Sequence, residues 1–387
     1  MNFRSRYCLV NLLIVILFSC GHKPERSTEY TYKVPMQLND GFKVGGLKSQ
    51  GIDSLQIIKL TELILADSFP NIHSLLILKN EHLVYENYFG GKDEIRGEKL
   101  GYIEHSADKL HDCRSITKSI TSACVGLALQ HGFIQSVDEP VAGYFPEYSD
   151  LFKGTKRKMT IRDLLTMTSG LEWNEEMSYR NPRNSELRMD WSSNPYEFVL
   201  SRELIHEPGT KWNYNGGNTE LLAEIVRRTS SMPLDKFTEK YLFEPLGIES
   251  YAWLELFKNS PAAASGLRMR SRDLLKLGSL YLNNGKWAGH QVLNPAWVKE
   301  SLFPFKNRSS EKYSDAGYGY QFWTFSADYL GKKIGVQEAK GNGGQAIFIC
   351  NSLDLVVVVT AGNYNQWDIK NDTYSLFINR VLPAIEI

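Results

Sequence analysis

Strand-forming sequence stands toward the two ends of this chain and helix-forming sequence stands between them, and that order restricts the folds open to it. Residues 74–79 and 83–89 are β-rich runs joined by a tight polar turn. Residues 317–325, 345–350 and 355–360 have the same character, with Asn351-Ser352-Leu353-Asp354 as the last turn. Helical spacing occupies 52–68, 161–168, 195–201, 219–229 and 271–284, and a helix over about 369–381 closes the chain. Strands so far apart share a sheet only if the chain leaves it and returns. The expectation is therefore an α+β (α/β sandwich) fold: one antiparallel sheet built from distant segments, flanked by helices, with a mostly helical lobe inserted over about 133–264.

At 387 residues the chain is long enough for a large core. Lys plus Arg and Asp plus Glu balance at 44 each, so no net charge draws it to nucleic acid. Arg4 and Arg6 precede an apolar run over 9–18 that is too short to span a bilayer. The run ends Leu17-Phe18-Ser19-Cys20-Gly21, which resembles a bacterial lipobox with Cys20 as the lipidated residue. The alternative is an ordinary cleaved signal peptide that contains Cys20. The expected organisation is a lipoprotein signal peptide over 1–20, a polar tether over 21–50 and a folded body over 51–387. That address is the cell envelope, with membrane contact through the lipid anchor only. Cys113, Cys124 and Cys350 remain in the body, too few and too sparse for a disulfide framework.

Ser115-Ile116-Thr117-Lys118 carries the chemistry. A serine hydroxyl needs a proton acceptor within hydrogen-bond reach, and a lysine one helical turn along the same face serves if its pKa is lowered. Ser106/Lys109 and Ser309/Lys312 share the spacing, but only Ser115 opens an apolar helix: Ile116, Ile120, Ala123, Cys124, Leu127 and Ala128 recur at helical spacing, and Gly132 stops it. Taken alone, Ser115 also fits an N-cap and Lys118 a solvated side chain. Tyr214 follows the Pro208-Gly209 turn, just before the helix read from Thr219, and is the candidate second proton carrier, its pKa lowered by Lys118. Ala339-Lys340-Gly341-Asn342-Gly343-Gly344-Gln345 leads into a strand, where glycines let the backbone approach a substrate.

These three elements, in this order, resemble the serine β-lactamase-like hydrolases, close to class C β-lactamases, DD-peptidases, related esterases and 6-aminohexanoate-oligomer hydrolases. The resemblance runs from Ser74 to the C-terminus and includes Thr160-Ile161-Arg162-Asp163-Leu164-Leu165-Thr166-Met167-Thr168-Ser169-Gly170-Leu171, Pro245-Leu246-Gly247-Ile248, Ser265-Gly266-Leu267, Ser271-Arg272-Asp273-Leu274 and Gly317-Tyr318-Gly319-Tyr320. It implies Ser115 as acylated nucleophile, Lys118 as proton acceptor and Tyr214 as shuttle to the leaving group. It implies an oxyanion hole from the backbone N–H groups of Ser115 and Asn342, if Gly341 is the glycine of the family's Lys-Thr-Gly; a register with Gly343 there shifts the donor to Gly344. Asn215, Gly341 and Gly343 are the expected substrate-binding residues.

Two departures bear on substrate. Gly216 stands where the family's Tyr-x-Asn has its amide-binding asparagine, unless Asn215 or Asn218 substitutes. Ala339 stands where Lys-Thr-Gly has its cation, with Lys340 displaced by one, which lowers the expectation of efficient β-lactam turnover. The reading is an extracytoplasmic serine esterase or amidase acting on a small-molecule or peptide-like acyl substrate, with no metal or cofactor. The alternative is a penicillin-binding or envelope-sensor homologue with little turnover. A metal site from His105, Asp108, His111 and Asp112 lacks a recognised ligand spacing. The other histidines, His73 among them, read as surface or packing residues.

Overall fold

A computed structural model describes residues 28–258, 260–307 and 316–386. The signal segment with Cys20, and the Ser309/Lys312 pair, lie outside the described residues. The main sheet has nine strands: β1 (Lys43–Val44), β2 (Ile72–Lys79), β3 (His82–Tyr88), β4 (Lys306–Asn307), β5 (Gly317–Tyr318), β6 (Trp323–Tyr329), β7 (Lys332–Gly341), β8 (Gln345–Cys350) and β9 (Leu355–Ala361). Their spatial order is β1-β3-β2-β9-β8-β7-β6-β5-β4, so the two ends of the chain meet at the β2–β9 seam. That seam is antiparallel, with Ile77 opposite Val357 and Leu76 opposite Val358.

Every residue of β2 is buried because both faces of the sheet are covered. Leu75, Ile77, Val357 and Val359 point into one core, shared with helix α1 (Ser54–Leu65) and the C-terminal helical segment. Leu76, Leu78, Val356 and Val358 point into the other, shared with α2 (Ile116–Gln130), α3 (Gly216–Ser230) and α4 (Ser271–Leu282). Each fully buried aliphatic side chain is worth about 1.5–3 kcal/mol, and a one-residue slip at the seam would exchange the two sets, so the register is strongly fixed. Helix α4 lies close on the sheet at Gly278, where a Cβ would come within 2.5 Å of Val356.

The structure amends five expectations. Residues 28–50 are not a free tether in the described part: Tyr32 donates to the Val84 carbonyl at 2.8 Å, Leu47 is buried, and Asp40 pairs with Arg272 at 2.7 Å. β1 pairs with β3 in parallel, so the sheet is mixed rather than wholly antiparallel. The run over 317–325 breaks into β5 and β6 at a turn closed by Gly319 N–H and the Phe322 carbonyl. The hairpin Gly90–Ile95/Glu98–Glu104 and strand β7 were not expected, because their exposed, charged residues mask the alternation. The closing helix starts late, at Thr373, where Asp372 caps it by accepting from Ser375 N–H.

Candidate active site

Helix α2 is buried from Ile116 to Ala128, and two of its buried hydroxyls reach neighbouring carbonyls: Ser119 donates to the Gln321 carbonyl and Thr121 to the Ala263 carbonyl. Ser115 stands at its N-cap position without a side-chain capping bond, which leaves the hydroxyl to Lys118. The turn before it is strained, with Arg114 at φ 49°, a left-handed conformation that a non-glycine residue holds only when its surroundings over-determine it. They do so here from two sides. The end of β7 runs against the turn so closely that a Cβ on Gly341 would lie 2.4 Å from the Cys113 carbonyl oxygen. The Arg114 side chain donates to Glu94 at 3.0 Å and lies 4.6 Å from the centre of the Tyr364 ring.

Lys118 Nζ is 3.2 Å from Ser115 Oγ, 3.0 Å from the Ala264 carbonyl oxygen and 3.6 Å from Glu186 Oε2. The Tyr214 ring centre is 5.0 Å from the same ammonium, and Tyr214 lines the same cavity as Ser115. Trp323 stacks on Tyr214 at 5.3 Å, with Tyr318 edge-on at 6.4 Å, which fixes the ring over the helix start. The three predicted catalytic side chains therefore meet.

Their electrostatics differ from expectation. Burial pulls the Lys118 pKa down, but Glu186, with Tyr214 and Glu175, outweighs it and holds the amine above its usual value. Burial likewise raises Tyr214, more than Lys118 lowers it. The resting pair is thus an ammonium and a neutral phenol, not a lysine poised as free base. Glu175 and Glu186 were not anticipated. Burial raises Glu186, yet Lys118 holds it down at about 2; burial, reinforced by the Glu186 charge, pushes Glu175 well above the carboxylate range. Glu175 accepts from Trp173 Nε1 and Gly216 N–H, both at 2.5 Å, and from Tyr179 at 2.9 Å.

Gly216 explains why these carboxylates fit. A Cβ there would lie 2.6 Å from Glu186 Oε2, so the residue that departs from Tyr-x-Asn makes room for the carboxylate that pairs with Lys118. The signal in the sequence was a missing asparagine beside a buried lysine without a counter-charge. Asn215 is not among the residues lining the cavity above Ser115; it is buried and caps α3 by accepting from Asn218 N–H at 3.2 Å.

Above Ser115 opens a cavity of about 390 Å³ with Trp212, Tyr214, Trp323 and Phe325 among its walls. Gly341, Asn342 and Lys340 line it, so the displaced lysine does bring a cation to the cavity, while Ala339 is in the core. The Asn342 side chain is spent on Asn365, accepting from its N–H at 2.9 Å. Gly343, at φ 106°, shapes the turn after β7 and packs on Tyr364. His105 and His111 do come together, but with His73 and Asp93; Asp108 is bonded to Ser106, and Asp112 is taken by Arg268 and Arg114.

The likeness to known proteins spans this whole arrangement. The chain is 23% identical over 338 residues to 6-aminohexanoate-dimer hydrolase of Paenarthrobacter ureafaciens, covering 81% of this chain and 79% of that one. The solved structure of a proposed 6-aminohexanoate-dimer hydrolase from Bacillus anthracis superposes with a TM-score of 0.64 at 20% identity, over 91% of this chain and 86% of that one. EstCE1, described as a hydrolase with promiscuous acyltransferase activity, superposes with a TM-score of 0.65 at 15% identity, over 85% and 98%. The Beta-lactamase family profile matches residues 73–377, and the chain belongs to that family.

Proposed function

We propose that this protein is a serine hydrolase that cleaves an amide or ester bond through an acyl-enzyme on Ser115. The observation that carries the reading is the 3.2 Å contact of Lys118 Nζ with Ser115 Oγ beneath an aromatic-walled cavity, with the Tyr214 ring 5.0 Å from the same ammonium. Because Lys118 rests as an ammonium paired with Glu186, its base form arises when its proton passes to the Glu186 carboxylate, leaving a neutral amine and a neutral acid. The amine then takes the Ser115 proton as Oγ attacks the carbonyl carbon. The backbone N–H groups of Ser115 and Asn342 hold the oxyanion, and Tyr214 protonates the leaving amine or alcohol, regaining its proton from Lys118. Water repeats the sequence to release the acid.

The cavity suits a peptide-like or oligoamide acyl group, apolar along its length, with a carboxylate end in reach of Lys340; a relative's name as an aminohexanoate-dimer hydrolase supports that class. The lipobox-like Cys20 supports an envelope lipoprotein. A sensor role is favoured by the 3.6 Å pairing of Lys118 with Glu186, which holds the amine protonated and slows deacylation if the proton cannot reach Glu186. Intact-protein mass spectrometry with a fluorophosphonate, a penicillin and an activated ester separates these. The hydrolase reading expects a fluorophosphonate adduct, ester turnover, and loss of both in Ser115→Ala, with kcat/KM down at least about 10⁴-fold. A stable penicillin adduct without ester turnover supports the sensor. No adduct on folded protein, or undiminished turnover by Ser115→Ala, overturns the assignment.

A further inference from the structure

Four segments that the proposed catalysis does not use converge just ahead of the nucleophile. His73 lies on β2, Asp93 on the first strand of the Gly90–Ile95/Glu98–Glu104 hairpin, His105 directly after its second strand, and His111 four residues before Ser115. Each offers one donor atom, and the four atoms lie within 4.8 Å of one another. His73, Asp93 and His111 are buried and His105 is half-buried.

Hydrogen bonding alone does not satisfy this group. His111 Nδ1 lies 3.1 Å from the Asp112 carbonyl oxygen and donates to it, so the Nε2 lone pair points inward, 2.8 Å from His73 Nδ1. With its proton on Nε2, the His73 ring would turn its Nδ1 lone pair toward that of His111 Nε2. Moving that proton to Nδ1 instead strands Nε2, which has no partner of good geometry; His105 Nε2 is buried without one as well. A cation at the centre resolves all three nitrogens at once.

We propose that His73, Asp93, His105 and His111 ligate one zinc ion in a tetrahedral site. Three imidazoles and one carboxylate are a nitrogen and oxygen set that zinc takes, and four protein ligands leave no open position, which makes the site structural. Its supports are in place. The Asp112 carbonyl orients His111, and the Tyr364 hydroxyl donates to Asp93 Oδ1 at 2.9 Å. A Cβ at Gly91 or Gly362 would come within 2.5 Å or 2.6 Å of the His73 ring, so both glycines keep the imidazole in position. Tyr364 also lies beneath the Arg114 guanidinium. The ion ties β2, the hairpin and the strand leading to Ser115 into one body, and so steadies the left-handed Arg114 turn. This reverses the expectation of a metal-free protein.

The test uses the purified chain, stripped with a chelator and titrated with Zn²⁺ and with Co²⁺, read by elemental analysis, visible absorption and thermal melting. The expected result is one metal per chain, ligand-field bands of tetrahedral Co²⁺, and a raised Tm on adding zinc. His105→Ala, chosen because that side chain is only half-buried, and Asp93→Asn should lose the bands and bind at least about 100-fold more weakly, whereas Ser115→Ala should bind as wild type. Folded wild type that takes up neither ion, or a His105→Ala protein with unchanged affinity, overturns the site. If both ligand variants fail to fold, the wild-type Co²⁺ titration decides alone.

Discussion

Two buried polar clusters adjoin the segment that carries Ser115, and they handle buried charge in opposite ways. Beside Lys118 sit four carboxyls, Glu175, Glu186, Asp190 and Glu220, with Lys118 and Arg96 as the cations in contact. Ahead of the strained Arg114 turn sit three imidazoles and one carboxylate. In the first cluster the excess is of acids, and protons fill the deficit: Glu175 is pushed well above the carboxylate range while Glu186 stays ionised against Lys118. In the second the excess is of lone pairs, and a metal cation fills it. The comparison teaches that the catalytic geometry rests on two separate neutralisations, one by protons beside the base and one by an ion ahead of the nucleophile.

The strongest way to break the first half of the comparison is to remove the charge of Glu186. Stranding one member of a buried pair costs about 3–5 kcal/mol, so Glu186→Gln should unfold at a markedly lower temperature. If Glu186 receives the Lys118 proton, kcat/KM should also fall by roughly 10²-fold or more across the whole pH range. A variant that keeps its kcat and only shifts its pH optimum downward shows instead that Glu186 merely raises the lysine pKa. Gly216 offers a subtler perturbation. Gly216→Ala places a Cβ 2.6 Å from Glu186 Oε2 in the present geometry and should cost about 1–3 kcal/mol, measured by chemical denaturation. In Gly216→Ala/Glu186→Ala the two losses should be clearly less than additive, because the clash vanishes with the carboxylate. Simple additivity would show that the two residues do not share that space.

What the sequence made legible followed distance along the chain. Ser115 and Lys118 sit one turn apart on a helix whose apolar spacing is plain, and Tyr214 precedes a capped helix, so short-range pattern placed all three. The β2–β9 seam was legible because 75–78 and 355–359 are continuous aliphatic runs, which only a sheet covered on both faces can bury. Glu186 lies on a short helix, Ser185–Asp190, in the stretch between the helical runs read at 161–168 and 195–201. Its role depends on the empty volume at Gly216, which no linear spacing encodes. The histidine cluster draws single residues from four segments, and one of its carriers is a hairpin too charged to read as strand. Where a site is assembled one residue per segment, the sequence holds its members without marking their association.

The carboxyl cluster also sets the response to pH. Burial, opposed by the Ala264 N–H, raises Glu220 to about 8, and burial, opposed by Arg96, raises Asp190 to about 7. Unfolded, each releases its proton near pH 4, so between that pH and the folded value the native chain binds more protons than the unfolded one. The stability this supplies is complete below the unfolded pKa and is lost as pH rises through the folded one. The lowered imidazoles of the histidine cluster give a slope of opposite sign that fades once unfolded histidine has lost its proton, about one unit above its usual pKa near 6.5, so the slope from about pH 7.5 to 8.5 reports the carboxyls. Tm should fall over that window, and Glu220→Gln, which keeps an oxygen for the Ala264 N–H 2.8 Å away, should flatten the fall. An unchanged slope would show that Glu220 is ionised throughout.

The smallest expected effect concerns Lys340, which lines the cavity one residue after the position the family's Lys-Thr-Gly assigns to a cation. A single charge-assisted contact to a substrate carboxylate is worth about 1.5–3 kcal/mol when well placed and less when solvent reaches it. Lys340→Gln should therefore raise KM about tenfold for acyl substrates that end in a carboxylate, leave kcat within a factor of about two, and leave neutral esters untouched. Steady-state kinetics on a matched pair, an oligoamide with a free carboxylate and its methyl ester, reads the difference directly. Equal losses on both members of the pair would assign Lys340 to the shape of the cavity wall and leave the anionic end of the substrate without a partner there. A loss confined to the free acid shows that the displaced cation reads the carboxylate even though its motif does not, and places specificity on the wall of the cavity, apart from the two neutralised clusters that hold the catalytic residues.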